Sequence, residues 1–252
     1  MKRLALVVLV VLLACTHTAP TSQPSSSPSV PRILLFTRTK GFHHSSIPAA
    51  VAALKRLGVQ HGFAATATSD PAAFTDTGLA RYRAVVFLLT TGDVLNGAQQ
   101  AAFERYIARG GGYVGVHSAT DTEYGWAWYG RLVGAFFANH PSIQRATVNV
   151  LDQALASTTE LPARWIRTDE WYNFRTDPTP NVRVLLTVDE STYKGGTMGA
   201  RHPIAWCHEF DGGRAWYTAM GHSSSSYSEP LFTTHVLEGI LYATKIDPTP
   251  CM

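Results

Sequence analysis

Cysteine is scarce in this 252-residue chain, with three copies, and none stands in a Cys-x-x-Cys pair. That leaves a structural zinc site of the finger type unsupported, because such a site needs paired thiolates at short spacing. An excess of charge is lacking too. The formal net charge of +3 falls to +1 once the two charges of Lys2 and Arg3 are set aside, and so near-neutral a chain gives no reason to expect nucleic acid. The unbroken apolar run near the N-terminus covers only residues 4–14, short of the roughly 20 that a membrane-spanning helix requires. No His-x-x-x-His or His-Glu-x-x-His spacing occurs and no internal repeat is present. Any metal would therefore have to be gathered from separate loops.

What the N-terminus does contain is an address. Lys2 and Arg3 precede the apolar run, which closes as Leu12-Leu13-Ala14-Cys15. This resembles the bacterial lipobox, and it makes residues 1–15 a lipoprotein signal peptide ending at a lipidated Cys15. An ordinary signal peptide with an incidental cysteine is the plainer alternative. Several lipid chains would make a durable anchor. The expected location is thus the cell envelope, on the periplasmic or extracellular face of a membrane touched through the anchor only. Thr16 follows Cys15 where an Asp could stand, which favours the outer membrane in a Gram-negative cell. Residues 16–31, rich in Ser, Thr and Pro, have too little apolar content to pack and form a flexible tether. The folded unit is expected over residues 32–246, a length suited to one α/β domain.

Within it, strands and helices alternate. Residues 32–37, 63–68, 84–89 and 113–116 are compact apolar runs suited to buried parallel strands. A helix starts at Ser46-Ile47-Pro48 and ends at Gly58; another spans residues 96–109 with Asn96 as its N-cap. Such alternation implies right-handed βαβ units. The second half changes character, with strand-like segments at 146–151, 163–166, 183–188, 204–209 and 214–219, and a closing helix over 231–244. Asp211-Gly212-Gly213 reads as a hairpin turn between the last two strands. The fold class is α/β: a flavodoxin-like sandwich with a mostly parallel central sheet and an antiparallel extension. Cys207 and Cys251 are free either to bridge, as an oxidising exterior permits, or to leave Cys207 as a buried thiol.

The most informative run is Gly110-Gly111-Gly112-Tyr113-Val114-Gly115-Val116-His117-Ser118-Ala119-Thr120-Asp121-Thr122. Glycines stop a helix, a buried strand follows, and His117, Ser118 and Asp121 arrive at its carboxyl end, where open α/β sheets bind ligands. Four further segments bear side chains capable of chemistry: Lys40 to Ser45 with His43 and His44; Asn139-His140-Pro141, after an aromatic helix with Trp126, Trp128, Tyr129 and Phe136; Asp169-Glu170-Trp171-Tyr172; and Arg201-His202-Pro203 with Gly221-His222-Ser223. His43, His117 and His222 each fall at or beside a strand end. His61 and His235 read as surface residues, and His208 as facing outward on its strand. Histidine suits proton transfer near neutral pH. Glu170, among Trp165, Trp171 and Tyr172, is expected to have a raised pKa and to act as acid or base, unless it pairs with Arg167 or Arg175. Trp126, Trp128, Trp171 and Trp206 either stack on a sugar face or pack in the core. A divalent ion held by His43, His117 or His222 with Asp121 or Glu170 stays open, and no cofactor is otherwise indicated.

Over about residues 32–244 the chain resembles the ThuA-like family, named for trehalose utilisation. The matching stretches are Gly41-Phe42-His43-His44-Ser45-Ser46-Ile47-Pro48, Gly112-Tyr113-Val114-Gly115-Val116-His117-Ser118-Ala119, His140-Pro141, Asp169-Glu170-Trp171-Tyr172, His202-Pro203-Ile204-Ala205-Trp206 and Gly221-His222. The resemblance implies the class I glutamine-amidotransferase-like fold. There a cysteine occupies the elbow and a late histidine activates it; here the elbow holds His117, while His222 matches the late position. Without a thiolate, glutamine hydrolysis is not expected. The expected activity is carbohydrate chemistry on a glucoside or 3-keto-glucoside. His117, Glu170, His222 and Asp121 would be catalytic; His43, His44, Ser118, His140, Tyr172, His202 and Trp206 would contact a small carbohydrate. A non-catalytic sugar-binding lipoprotein and a metal-dependent hydrolase are the alternatives.

Overall fold

The computed structural model describes residues 30–251. The expected signal peptide of residues 1–15 with Cys15, and all but the last two residues of the expected tether, lie outside the described residues. In chain order the elements are β1 (Arg32–Phe36), α1 (Ile47–Gln60), β2 (Ala64–Thr68), α2 (Asp76–Leu79), β3 (Ala84–Leu88), α3 (Gly97–Ala108), β4 (Gly112–Val116), α4 (Ala127–Val133), β5 (Phe137–Asn139), β6 (Gln144–Val150), α5 (Ala156–Thr159), β7 (Arg164–Asp169), β8 (Asn173–Phe174), β9 (Arg183–Val188), β10 (His202–Phe210), β11 (Gly213–Thr218) and α6 (Pro230–Ala243).

One nine-stranded sheet runs β2-β1-β3-β4-β11-β10-β9-β6-β7. The first five strands are mutually parallel and the rest antiparallel, as the change of sequence character at mid-chain implied. β3 and β4 are buried along their whole length, which is why they read as continuous apolar runs. The β10–β11 hairpin turns on Asp211 and Gly212, both at positive φ, the conformation of a type I′ turn. Helix α3 starts with a reciprocal capping box between Asn96 and Gln99, which satisfies backbone donors the helix leaves open. Helix α6 lies against β11 and β4, with α1 and α5 beside it. No helix among the described residues is long and apolar enough to cross a membrane.

Four expectations change, and one open alternative is decided. Helix α1 passes through Gly58 and ends two residues later; a Cβ at Gly58 would stand 2.6 Å from the carbonyl oxygen of Phe63, so this glycine serves close packing. Helix α4 stops at Val133, and Gly134 at φ +97° turns the chain. Phe136 therefore lies beyond that helix, and Asn139 sits in a short strand paired with β8. His208 is buried, its Nε2 2.9 Å from the Leu132 carbonyl and its Nδ1 3.3 Å from that of Asn181, because helix α4 and the turn before β9 cover that face of β10. His235 is fully buried under Trp216, its Nδ1 2.7 Å from the Ser157 carbonyl, because α5 packs on α6. Finally, Cys207 and Cys251 form a disulfide.

Candidate functional site

At the carboxyl end of β4 the backbone turns sharply. His117 adopts φ +54°, a left-handed conformation costing a non-glycine residue about 1–2 kcal/mol. The turn is held in place: the His117 carbonyl accepts a hydrogen bond from the Tyr217 hydroxyl at 2.8 Å. Its ring Nδ1 lies 2.7 Å from the Ala219 carbonyl. A carbonyl only accepts, so Nδ1 bears a proton and Nε2 is the nitrogen turned toward the other side chains. The elbow that the sequence suggested is thus a strained turn with an imidazole at its apex.

Three other elements converge on that imidazole. The loop after β1 is pinned to Thr91, whose carbonyl accepts from Lys40 N at 2.7 Å and whose hydroxyl donates to the Phe42 carbonyl at 2.8 Å. Phe42 and His43 are left exposed and His44 is turned inward. The segment after β7 supplies Glu170, and the segment after β11 supplies His222. Glu170 Oε2 lies 3.1 Å from His222 Nδ1 and 3.4 Å from His117 Nε2. His117 Nε2 and His222 Nδ1 are 3.2 Å apart. Glu170 Oε1 lies 3.2 Å from His140 Nδ1. One ligating atom from each of His44, His117, Glu170 and His222 falls within 4.8 Å of all the others. These are the residues that could hold a metal ion.

The charges are mutually adjusted. Burial, then the neighbouring His117 and His222, lower the His44 pKa to about 3, so this ring is neutral. Hydrogen bonding to Glu170 raises His222 against the opposing effect of burial. Burial alone would raise Glu170, but hydrogen bonds and charge from His117 and His222 outweigh it and hold the carboxyl well below its usual range. The expected raised pKa of Glu170 is therefore reversed by imidazoles remote in sequence. Neither arginine pairs with it: Arg167 binds Asp169, while Arg175 lies over the Tyr124 ring and donates to the Phe137 carbonyl.

Above the cluster is a cavity of about 280 Å³ lined by Phe42, His44, Asp121, Phe137, His140, Glu170, Tyr172 and His222. Tyr172 packs on His117 with ring centroids 4.4 Å apart, and Phe137 packs on Tyr172 at 4.3 Å. Asp121 faces the cavity apart from the cluster; it accepts a 2.6 Å hydrogen bond from the Tyr124 hydroxyl, and burial pushes its carboxyl up. Ser118 is buried behind, its hydroxyl 3.5 Å from His44 Nδ1.

Three other sequence candidates lie elsewhere. His43 is exposed and bonds Thr39. His202 is fully buried among Tyr193, Glu190 and the Tyr172 carbonyl, and Trp206 donates to the Val133 carbonyl within the core. Trp126, Trp128 and Trp171 are likewise bonded away from the cavity, to Glu104, Asp211 and Gln144. The aromatic walls are instead Phe42 and Phe137, beside Tyr172. Phe42 stands in the loop already marked by His43 and His44; Phe137 has no local signal. A larger hollow of about 530 Å³ between α4 and β10 contains one histidine, His208, with both ring nitrogens facing carbonyls.

No curated protein matches the chain. Among solved structures, a ThuA-like protein from Bacteroides uniformis aligns with a TM-score of 0.72 and 22% identity over 88% of this chain and 95% of its own. One from Parabacteroides merdae aligns at 0.69 and 18% over 85% and 90%. A β-galactosidase from Bacillus circulans shares the fold over 87% of this chain but 31% of its own length, at a TM-score of 0.52 and 12% identity. The family model for ThuA, trehalose utilisation, matches residues 32–243. That match, over nearly the whole described length, makes the chain a member of the ThuA family.

Proposed function

We propose that this chain acts on a small carbohydrate, a glucoside or its 3-keto form, by proton transfer between histidines oriented by a carboxylate. The observation that carries the reading is the meeting of His117 Nε2, His222 Nδ1 and Glu170 Oε2 within 3.1–3.4 Å beside an aromatic-walled cavity. At about 280 Å³ the cavity lies just below the usual ~300–1,000 Å³ range and suits one sugar ring.

In a 3-keto-glucoside the C2 hydrogen is acidic because the neighbouring carbonyl accepts the electron pair left behind. His117, in its neutral form with the proton on Nδ1 facing the Ala219 carbonyl, removes that proton through Nε2. The resulting enolate collapses to form C1=C2 and breaks the bond from C1 to the glycosidic oxygen, which takes a proton from His222. Glu170 orients both rings and favours the charged form of His222. Asp121 and His140 are positioned to bond sugar hydroxyls. Glutamine hydrolysis is not proposed, since the elbow position holds an imidazole and Cys207 and Cys251 are bonded to each other.

The donor set also favours a second, metal-assisted reading. Three imidazoles and one carboxylate suit a divalent transition ion, and the Ala219 carbonyl orients His117 as outer partners of ligating histidines do. When bound, such an ion would supply Lewis-acid polarisation of a substrate oxygen. The test is mass spectrometry of products from a panel of disaccharides and their 3-keto forms, with and without chelator. Chelator-insensitive product supports proton transfer alone, and chelator-sensitive product the metal-assisted form. Binding without any product would leave a sugar-binding protein.

The lipid anchor at Cys15 and an envelope location form part of the same proposal. The disulfide supports them, since such bonds persist mainly outside the reducing cytoplasm. Loss of membrane association in Cys15→Ala is the expected outcome; an unchanged distribution would overturn it.

A further inference from the structure

Behind the cavity, and forming none of its wall, lies a buried ion pair. Strand β7 alternates so that Trp165, Arg167 and Asp169 face inward while Arg164, Ile166 and Thr168 face out, the period of an edge strand with one covered face. Asp169 is fully buried. Its Oδ1 accepts from the backbone N–H of Glu170 at 3.0 Å and of His222 at 3.1 Å. Its Oδ2 accepts from Gly221 N at 2.9 Å and from Arg167 Nη2 at 3.1 Å. These four donors use the full accepting capacity of a carboxylate.

The two ends it joins come from the middle and the edge of the sheet. Four strand steps separate β11 from β7, about 19 Å in a flat sheet at ~4.8 Å per step, so the extension must curl back for Asp169 to reach Gly221. His222 belongs to no helix or strand. Its segment is held from one side by Asp169 and from the other by the Tyr227 hydroxyl, which donates to the Gly221 carbonyl at 3.0 Å. Gly221 itself sits at φ +108°, and a Cβ there would stand 2.9 Å from the Tyr227 hydroxyl oxygen. Arg167 is wedged between Trp165 and Phe232, its guanidinium 4.6 and 4.8 Å from their ring centres, and it also donates to Ser226.

We infer that Asp169, steadied by Arg167, is the positioning residue that sets Glu170 and His222 against His117. A buried ion pair is a poor source of stability and can often be replaced by apolar side chains. Apolar replacements cannot, however, accept hydrogen bonds from amides on both sides of the site. The inference rests on the proposed role of Glu170 and His222, but its test has a readout independent of that role.

The experiment compares wild type, Asp169→Asn, and the apolar double variant Arg167→Met with Asp169→Leu. The readouts are amide hydrogen exchange by NMR, affinity for Zn²⁺ added alone, and turnover of a 3-keto-disaccharide. In each folded variant, exchange at Gly221 and His222 should quicken about tenfold or more while Val86 and Val114 in the central strands keep their protection. Zn²⁺ affinity, where wild type binds the ion, should fall about 10–100-fold, as for lost outer partners of metal ligands. Turnover should show a lower kcat at unchanged KM, because Asp169 does not line the cavity. If Asp169→Asn fails to fold, the double variant decides. Unchanged exchange at the two amides would overturn the inference. So would quickened exchange accompanied by wild-type Zn²⁺ affinity and kcat. Should wild type neither bind Zn²⁺ nor turn over sugar, the proposed function fails while amide exchange still judges the positioning role.

Discussion

His117 and His202 are both fully buried histidines close to a glutamate, yet they serve opposite ends. His202 has its Nδ1 2.8 Å from Glu190 and 2.9 Å from the Tyr193 hydroxyl, and its Nε2 2.7 Å from the Tyr172 carbonyl. No ring atom is left for a ligand, and burial lowers its pKa. At His117 one nitrogen is fixed by a carbonyl and the other faces Glu170 and His222 under a cavity. The residue pair is the same; what differs is that the second nitrogen of His117 meets titratable side chains that line a cavity, whereas that of His202 meets a backbone carbonyl. The sealed pair also supports the open one, since it holds the backbone of Tyr172, whose ring packs on His117.

The largest effect is expected at the open pair. His117→Ala should lower turnover by about 10²–10⁴-fold, the usual contribution of a positioned acid or base. It also strands the Ala219 carbonyl, at about 1–3 kcal/mol, so turnover is compared per folded molecule. At the sealed pair the balance should reverse. His202→Ala strands the Tyr193 hydroxyl and the Tyr172 carbonyl, costing about 2–3 kcal/mol by unsatisfied burial, read as a lower urea midpoint. Activity per folded molecule should stay within severalfold of wild type. If His202→Ala abolished turnover at unchanged stability, the contrast would collapse.

A third buried histidine sharpens it through pH. His235 is lowered to about 4, first by burial, so between pH 6.5 and 4 the unfolded chain binds a proton that the folded chain refuses. Stability is therefore fully present above pH 6.5 and is lost as pH falls toward 4. Between pH 7 and pH 5 the loss from this group is about 2 kcal/mol. Comparing urea midpoints at the two pH values in wild type and His235→Phe isolates it: the variant should lose less stability. The smallest effect is expected at the cavity rim. Phe42 is 64% exposed beside His44, so Phe42→Ala should weaken sugar binding by about 1 kcal/mol, typical of one aromatic contact, and leave kcat unchanged.

Much of this could be read from the chain. Continuous apolar runs marked β1, β3 and β4, and the glycine-strand-histidine run marked the elbow. Loss of legibility begins where a neighbour distant in sequence decides. Only the pinning of the loop by Thr91, some fifty residues on, turns His44 inward and His43 out. Trp171 and Tyr172 suggested an apolar setting that would raise Glu170, but His117 and His222, more than fifty residues away on either side, reverse the sign. His208 and His235 read as surface because one polar residue on an apolar element does not reveal the carbonyl waiting for it. Trp206 and His202 share the stretch that resembles the family, yet they support the site from the core.

Under the proposed function the elbow histidine does the chemistry and the sealed one does not. The most direct test is mass spectrometry of 3-keto-disaccharides incubated side by side with wild type, His117→Ala and His202→Ala, each normalised to folded protein. Product from wild type and His202→Ala, and none above background from His117→Ala, is the expected result. Turnover by His117→Ala at the wild-type rate would contradict it.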